Sequence, residues 1–273
     1  MTLIVTLRTP DGVVIAGDSL STLTANKLIE GDFNLECPHC HEAHTFKGRM
    51  PNIYHSNTLS HAQKVFPFMR KFGVGTFGMG QVAGKTIYFA LRELETNLSQ
   101  DKNEVKILKT ILEVANAIGK HVQNLILEQI RHETKDKAAS LQPNVYPIGF
   151  QIVGYDDMQK PLTIEMHVGN DIKIVTHNEL GITYTGQPEV VNALFARFKT
   201  NPEEMPIFQN FSLQDAITYA EFLIKTTSTY QRFSSNMATV GGNIDVALVT
   251  PFDGFKWIKQ KSLQAKLLGE MHA

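Results

Sequence analysis

The chain has 273 residues, with 26 Lys and Arg against 27 Asp and Glu and a formal net charge of -1. At 42% hydrophobic and 19% charged residues, it is neither a basic nucleic-acid binder nor a chain too polar to build a core. It has no apolar run of ~18 residues, which excludes a helical membrane span. Its length suits one large domain or two small ones, and one domain is the default expectation.

The opening, MTLIVTLRTPDG, has no charged leader and turns early, so no secretory signal is expected. Only two cysteines occur, at CxxC spacing, which fits a reducing cytoplasm better than a disulfide framework. Thr2–Arg8 and Val13–Asp18 read as a hairpin around TPDG. The second strand is almost continuously apolar, the pattern of a strand buried on both faces. Residues 20–60 are polar and read as irregular. Lys64–Gly78 reads as two short strands ending in glycines.

Two helices follow in the pattern. Apolar residues recur at three- and four-residue steps through Met79–Leu98 and again through Glu104–Arg131, which places a stripe on one face of each. Ile148–Asp156, Leu162–Val168 and Asp171–His177 read as strands, with Gly169–Asn170 as a hairpin turn. Pro188 opens a third helix through Phe198. Ser212 and Asp215 frame a capping box before a fourth, which carries Ala216, Tyr219, Ala220, Leu223 and Ile224. Asn243–Thr250 and the FKWIKQ segment close the chain as strands. The economical way to bury these faces is two sheets between two helix layers.

Thr2 is the first candidate for chemistry. Initiator methionine is generally removed before so small a residue, and an N-terminal threonine carries its own base, because an α-amino group titrates near ~7.7. Such a nucleophile needs a nearby cation, an acid to hold that cation, and donors for the oxyanion. Asp18 ends the returning hairpin strand, Lys64 opens the next ordered strand, and the amides of GTFGMG are unhindered donors.

Thr2, DGVVIAGDS, KVF, GVGTFGMG, FQIVGYD, TYTGQPEVV and GGNIDVALVT, in that order, resemble the proteasome β-subunit family and its bacterial ATP-dependent homologue. The resemblance spans most of the chain. It implies an α+β four-layer αββα sandwich of the N-terminal-nucleophile (Ntn) hydrolase type, as one domain over 1–273 with an insertion at about 22–60. It also implies a cytoplasmic threonine endopeptidase with Thr2 as nucleophile, Asp18 and Lys64 as the supporting charge pair, and the Gly78 amide in the oxyanion hole. Peptide or unfolded-protein substrates, a homo-oligomer such as a ring, an ATPase partner and no catalytic cofactor follow from the same resemblance. No nucleic-acid or membrane partner is implied.

Groups that orient the amine differ from the family pattern. Gln187 stands where the family has a serine. QRFSSNMATVGG offers Ser234 or Ser235, but no acid lies between Gln231 and Gly242. Ser21 is a further cleft candidate. Two alternatives therefore stay open: an inactive structural or peptide-binding member, or an acyl transferase using the same threonine ester.

ECPHCHEAHT gathers Cys37, Cys40, His41 and His44. It reads as a candidate structural zinc site, an unmetallated polar loop or a redox pair. By position it is an accessory between Asp18 and Lys64.

Overall fold

The hairpin that opens the chain forms because both strands can bury every side chain. In the computed structural model, which describes residues 2–36, 40–41, 43–100, 108–235 and 237–262, β1 (Leu3–Thr9) and β2 (Gly12–Asp18) are buried throughout. Thr9 pairs with Gly12 across a two-residue loop, and the Thr9 hydroxyl bonds the Gly12 carbonyl at 3.0 Å.

The remaining elements in chain order are β3 (Ser21–Glu36), β4 (Ala43–Leu59), β5 (Val65–Phe68), β6 (Phe72–Gly78), β7 (Gln81–Val82), β8 (Lys85–Thr86), α1 (Ile87–Gln100), α2 (Ile111–Thr134), β9 (Ile148–Tyr155), β10 (Pro161–Val168), β11 (Ile172–His177), β12 (Gly181–Gly186), α3 (Glu189–Thr200), α4 (Leu213–Arg232), β13 (Ile244–Thr250) and β14 (Gly254–Lys259). Short 3-10 turns at Pro202–Glu204 and Phe208–Asn210 join α3 to α4. Among the described residues, no helix is long and apolar enough to cross a membrane.

Two compact units result. One comprises Met1–Ser21 with Ser60–Ala273, the other Thr22–Leu59. The larger unit holds two five-stranded antiparallel sheets, ordered β12-β1-β2-β13-β14 and β11-β10-β9-β6-β5, and the small β7-β8 hairpin. The smaller unit is made by β3 and β4, which pair as a two-stranded sheet.

The expected four-layer αββα sandwich is corrected here. The described residues form a mixed α/β structure with four antiparallel sheets rather than two. α2 lies on β9 and β10, and α4 on β1 and β2. α1 meets α2, β5 at the edge of the second sheet, and β8, and α3 meets chiefly α4. Val191 is the fully buried residue of α3. Periodicity reveals that a helix has an apolar face, but not whether a sheet or another helix covers it.

Three apolar clusters hold the larger unit. One joins α1 and α2 to the second sheet through Phe66, Phe68, Phe72, Ile118 and Phe150. Another joins α4 to the first sheet through Leu3, Val5, Ala16, Leu223 and Val246. The third unites strands of both sheets through Ile4, Ile15, Val65, Val153 and Ala247. Each large side chain removed from water contributes about 1.5–3 kcal/mol.

Helix starts follow local chemistry. Thr110 with Glu113, and Ser212 with Asp215, form reciprocal capping boxes that satisfy otherwise orphaned amides. The helix expected from Met79 begins only at Ile87, because Ala83 and Gly84 both adopt positive φ (50° and 74°). They turn β7 into β8, as a two-residue hairpin loop requires.

Candidate functional site

The site is built where β1 starts and β2 ends. β1 and β2 are antiparallel, with Ile4 opposite Gly17, so Asp18 at the end of β2 returns opposite Leu3, the residue after Thr2. Thr2 is 3% exposed, Asp18 1% and Lys64 5%. All three polar groups are thus placed in the interior, where a charge must be paired.

Asp18 is the hub. Its Oδ1 accepts the Leu3 amide at 3.0 Å and the Lys64 ammonium at 2.9 Å. Its Oδ2 accepts the amides of Leu20 at 3.1 Å and Gly241 at 3.0 Å. Four donors on one buried carboxylate use the capacity of both oxygens. The Lys64 ammonium also donates to the Leu20 carbonyl. Burial pushes Lys64 below the ordinary lysine range, Asp18 opposes that shift, and Lys261 adds to it.

The chain around this hub is fixed tightly. Ser19 and Leu20 both donate to the Gly241 carbonyl, at 3.0 and 2.9 Å, and Ala62 donates to the Ser19 carbonyl at 2.9 Å. Gly186 faces Thr2 directly. Its φ is +99°, and a Cβ there would sit 1.9 Å from the Thr2 carbonyl oxygen. A side chain is therefore excluded on both counts.

Gly78 ends β6, with φ +87° and a would-be Cβ 2.3 Å from the Pro147 carbonyl oxygen. Thr76 donates its amide to the Lys64 carbonyl at 2.9 Å, so Gly78 lies two residues, about 7 Å, farther along the strand. Gln187 follows Gly186, the register partner of Leu3, and is half-buried, as is Ser21. The Ser234 hydroxyl donates to the Gln231 carbonyl at 3.0 Å, closing the end of α4, while Ser235 is exposed.

The reading of the Cys/His cluster as a unit falls partly outside the described residues, which omit Cys37. Cys40 is an exposed free thiol, His41 is exposed with φ +57°, and His44 lies in β4. Among the described residues, no group of three or more His, Cys, Asp or Glu is arranged to hold a metal.

Three contributors escaped sequence reasoning. Gln231 Oε1 accepts the amides of Thr239 and Val240, both at 2.9 Å, and so shapes the loop that delivers Gly241 to Asp18. Asp245 and Lys261 form a second buried ion pair. A charged residue inside the otherwise apolar strand IDVALVT was the available signal for Asp245, since burial there demands a partner. Gln231 carried no such signal.

A separate polar group ties the sheets together. The Arg8 guanidinium donates to Thr163 Oγ1 at 2.9 Å, Thr183 Oγ1 at 2.8 Å and the Glu179 carbonyl at 2.7 Å. Burial brings its pKa down to about 10, against the pull of Glu179. On the same sheet as Thr163, Glu165 contacts His167 Nε2 at 2.9 Å and His177 Nε2 at 3.5 Å. Its carboxyl is held below the usual range, chiefly by the His167 hydrogen bond.

No protein-family model matches the chain, and no curated protein matches it.

Proposed function

We propose that this chain is a threonine peptidase, akin to the proteasome β-subunit family, that hydrolyses peptide bonds with Thr2 as nucleophile. The observation that carries the reading is the buried Asp18–Lys64 pair bonded to the Leu3 amide, the backbone group that follows Thr2. A buried ammonium this close to the start of β1 has an evident use: it favours the neutral form of an α-amine at Thr2.

The chemistry requires Thr2 to be the first residue. Its α-amine takes the hydroxyl proton as Oγ attacks the substrate carbonyl. The oxyanion is met by backbone amides of the Gly78–Gly80 segment. Return of the proton to the leaving amine gives an ester on Thr2, and water, deprotonated by the same amine, releases the product. In this reading the substrates are peptides or unfolded chains, the enzyme is a cytoplasmic homo-oligomer, and an ATPase supplies substrate.

The test is intact mass with covalent labelling by a β-lactone or epoxyketone. The reading predicts loss of Met1 and one adduct, absent in Thr2→Ala. Retained Met1 with no adduct would overturn it. A second reading, a catalytically silent peptide-binding subunit, is favoured by the absence of an acid between Gln231 and Gly242. Processed, unlabelled protein that still binds unfolded peptide would select it. An acyl transferase is distinguished by transfer of the labelled acyl group to added amines.

A further inference from the structure

Phe77 stands one residue before Gly78, and its ring is held by residues that the chemistry above does not use. Phe77, Gly149 and His167 are register partners in one row across β6, β9 and β10. The Phe77 ring lies over Gly149: a Cβ there would sit 2.2 Å from ring carbons Cε2 and Cζ. The His167 imidazole meets the same ring in an edge contact, with centroids 5.4 Å apart. His167 is fixed in turn. Its Nε2 lies 2.9 Å from Glu165 Oε1, and Tyr146 packs against its ring at 6.2 Å. Phe77 is thus clamped between a position without a side chain and an anchored imidazole.

The clamp bears on one peptide unit. The Gly78 N–H belongs to the rigid plane that begins at the Phe77 Cα, so the unit cannot tilt without moving that residue. Its direction follows from its neighbours. The Met79 amide donates to the Pro147 carbonyl next to β9, and the Thr76 amide to the Lys64 carbonyl on the other side, both at 2.9 Å. Amides alternate along a strand, so the Gly78 amide points to the same side as that of Thr76, the side of Lys64.

We propose that Phe77, clamped by Gly149 and His167, is a positioning residue that aims the Gly78 amide as an oxyanion donor. This rests on the threonine-peptidase reading for the use of the amide, not for the clamp. His167 makes the clamp responsive to pH, because protonation changes the imidazole that the Phe77 ring meets. The charged and titratable groups that face it are Glu165 on β10 and His177 on β11, whose Nε2 lies 3.5 Å from Glu165 Oε2. Lys173 is its register partner on β11, and Tyr146 bonds Asp171 at 3.0 Å. β6 and β9 bring Phe77 and Gly149, neither of which carries a charge.

The test follows the Gly78 amide in 15N–1H spectra of the full-length protein across the range in which histidine titrates, beside the His167 ring resonances. The Gly78 amide should shift with the His167 midpoint and lose that inflection in His167→Gln. Gly149→Ala, which pushes the ring aside, should displace the Gly78 resonance at every pH; if that variant does not fold, the other two spectra decide. A merely structural His167 would lower the unfolding midpoint without the shared titration. A Gly78 amide with no inflection at the His167 midpoint, or with the same inflection in His167→Gln, overturns the proposal. In parallel, β-lactone labelling of His167→Gln should slow on the order of tenfold, part of what a lost oxyanion donor costs. Slowing without a Gly78 shift also overturns it. A shared titration in a wild-type protein that does not label at all would uphold the clamp and remove the threonine-peptidase reading instead.

Discussion

Leu3 donates its amide to the same Asp18 oxygen that holds the Lys64 ammonium, at 3.0 and 2.9 Å respectively. The backbone that carries the proposed nucleophile and the cation that would activate it are therefore positioned by one atom. Moving either displaces the other.

Lys64→Met tests that coupling. It leaves the Asp18 carboxylate buried with three amides and no counter-ion, and loss of one partner of a buried pair costs about 3–5 kcal/mol. We expect a large drop in the chemical-denaturation midpoint together with loss of β-lactone labelling. Lys64→Arg should restore part of the stability while labelling stays low, because a planar guanidinium cannot reproduce the ammonium's contacts to both Asp18 and the Leu20 carbonyl.

Gly186→Ala should act on the same place from the neighbouring strand. Its φ of +99° and a Cβ contact of 1.9 Å to the Thr2 carbonyl oxygen combine backbone strain of about 1–3 kcal/mol with a clash. Thermal unfolding should report the loss. Gly80→Ala is the control: a Cβ there meets nothing within 4 Å, and a change within about 0.5 kcal/mol is expected.

Glu165 gives the pH dependence a sign. Its folded-state pKa is depressed, chiefly by the hydrogen bond from His167, so the unfolded chain binds more protons in the window below the ordinary value of 4.5. Stability from this group is present above that value and is lost as pH falls through the lower folded value. Urea midpoints measured between neutral pH and pH 3 should fall less steeply for Glu165→Gln than for the parent chain. Equal slopes would show that the carboxylate does not contribute.

At the start of α4, Ser212 and Asp215 cap each other's amides. Ser212→Ala should cost about 1 kcal/mol, read as a lower thermal midpoint, with Ser212→Asp close to neutral.

What the sequence revealed tracks how local the determining physics was. The β1–β2 hairpin, the Ser212 cap and the pairing of β10 with β11 follow from turn residues and apolar runs a few positions apart. Residues 20–60 looked irregular because a two-stranded ribbon needs no continuous apolar face, yet β3 and β4 run through nearly all of them. β12 (GITYTG) went unread because its alternation is short and flanked by glycines. The sheet partners of the helices are non-local, which is why the layered expectation failed. At the site, Asp18 and Lys64 were legible as a charge pair. Gln231 and Lys261 were not: Gln231 grips loop amides eight and nine residues on and Lys261 reaches Asp245 sixteen residues back, and no motif marks either.

The Gly241 amide reaches Asp18 across 223 positions of chain, and the residues that guide it come from the end of α4 and the loop after it. A nascent chain emerging from the ribosome can form the β1–β2 hairpin early, but Asp18 lacks one of its four donors until Gly241 has been made. The carboxylate that holds the Lys64 ammonium is thus fully enclosed only long after the hairpin that carries it has been made.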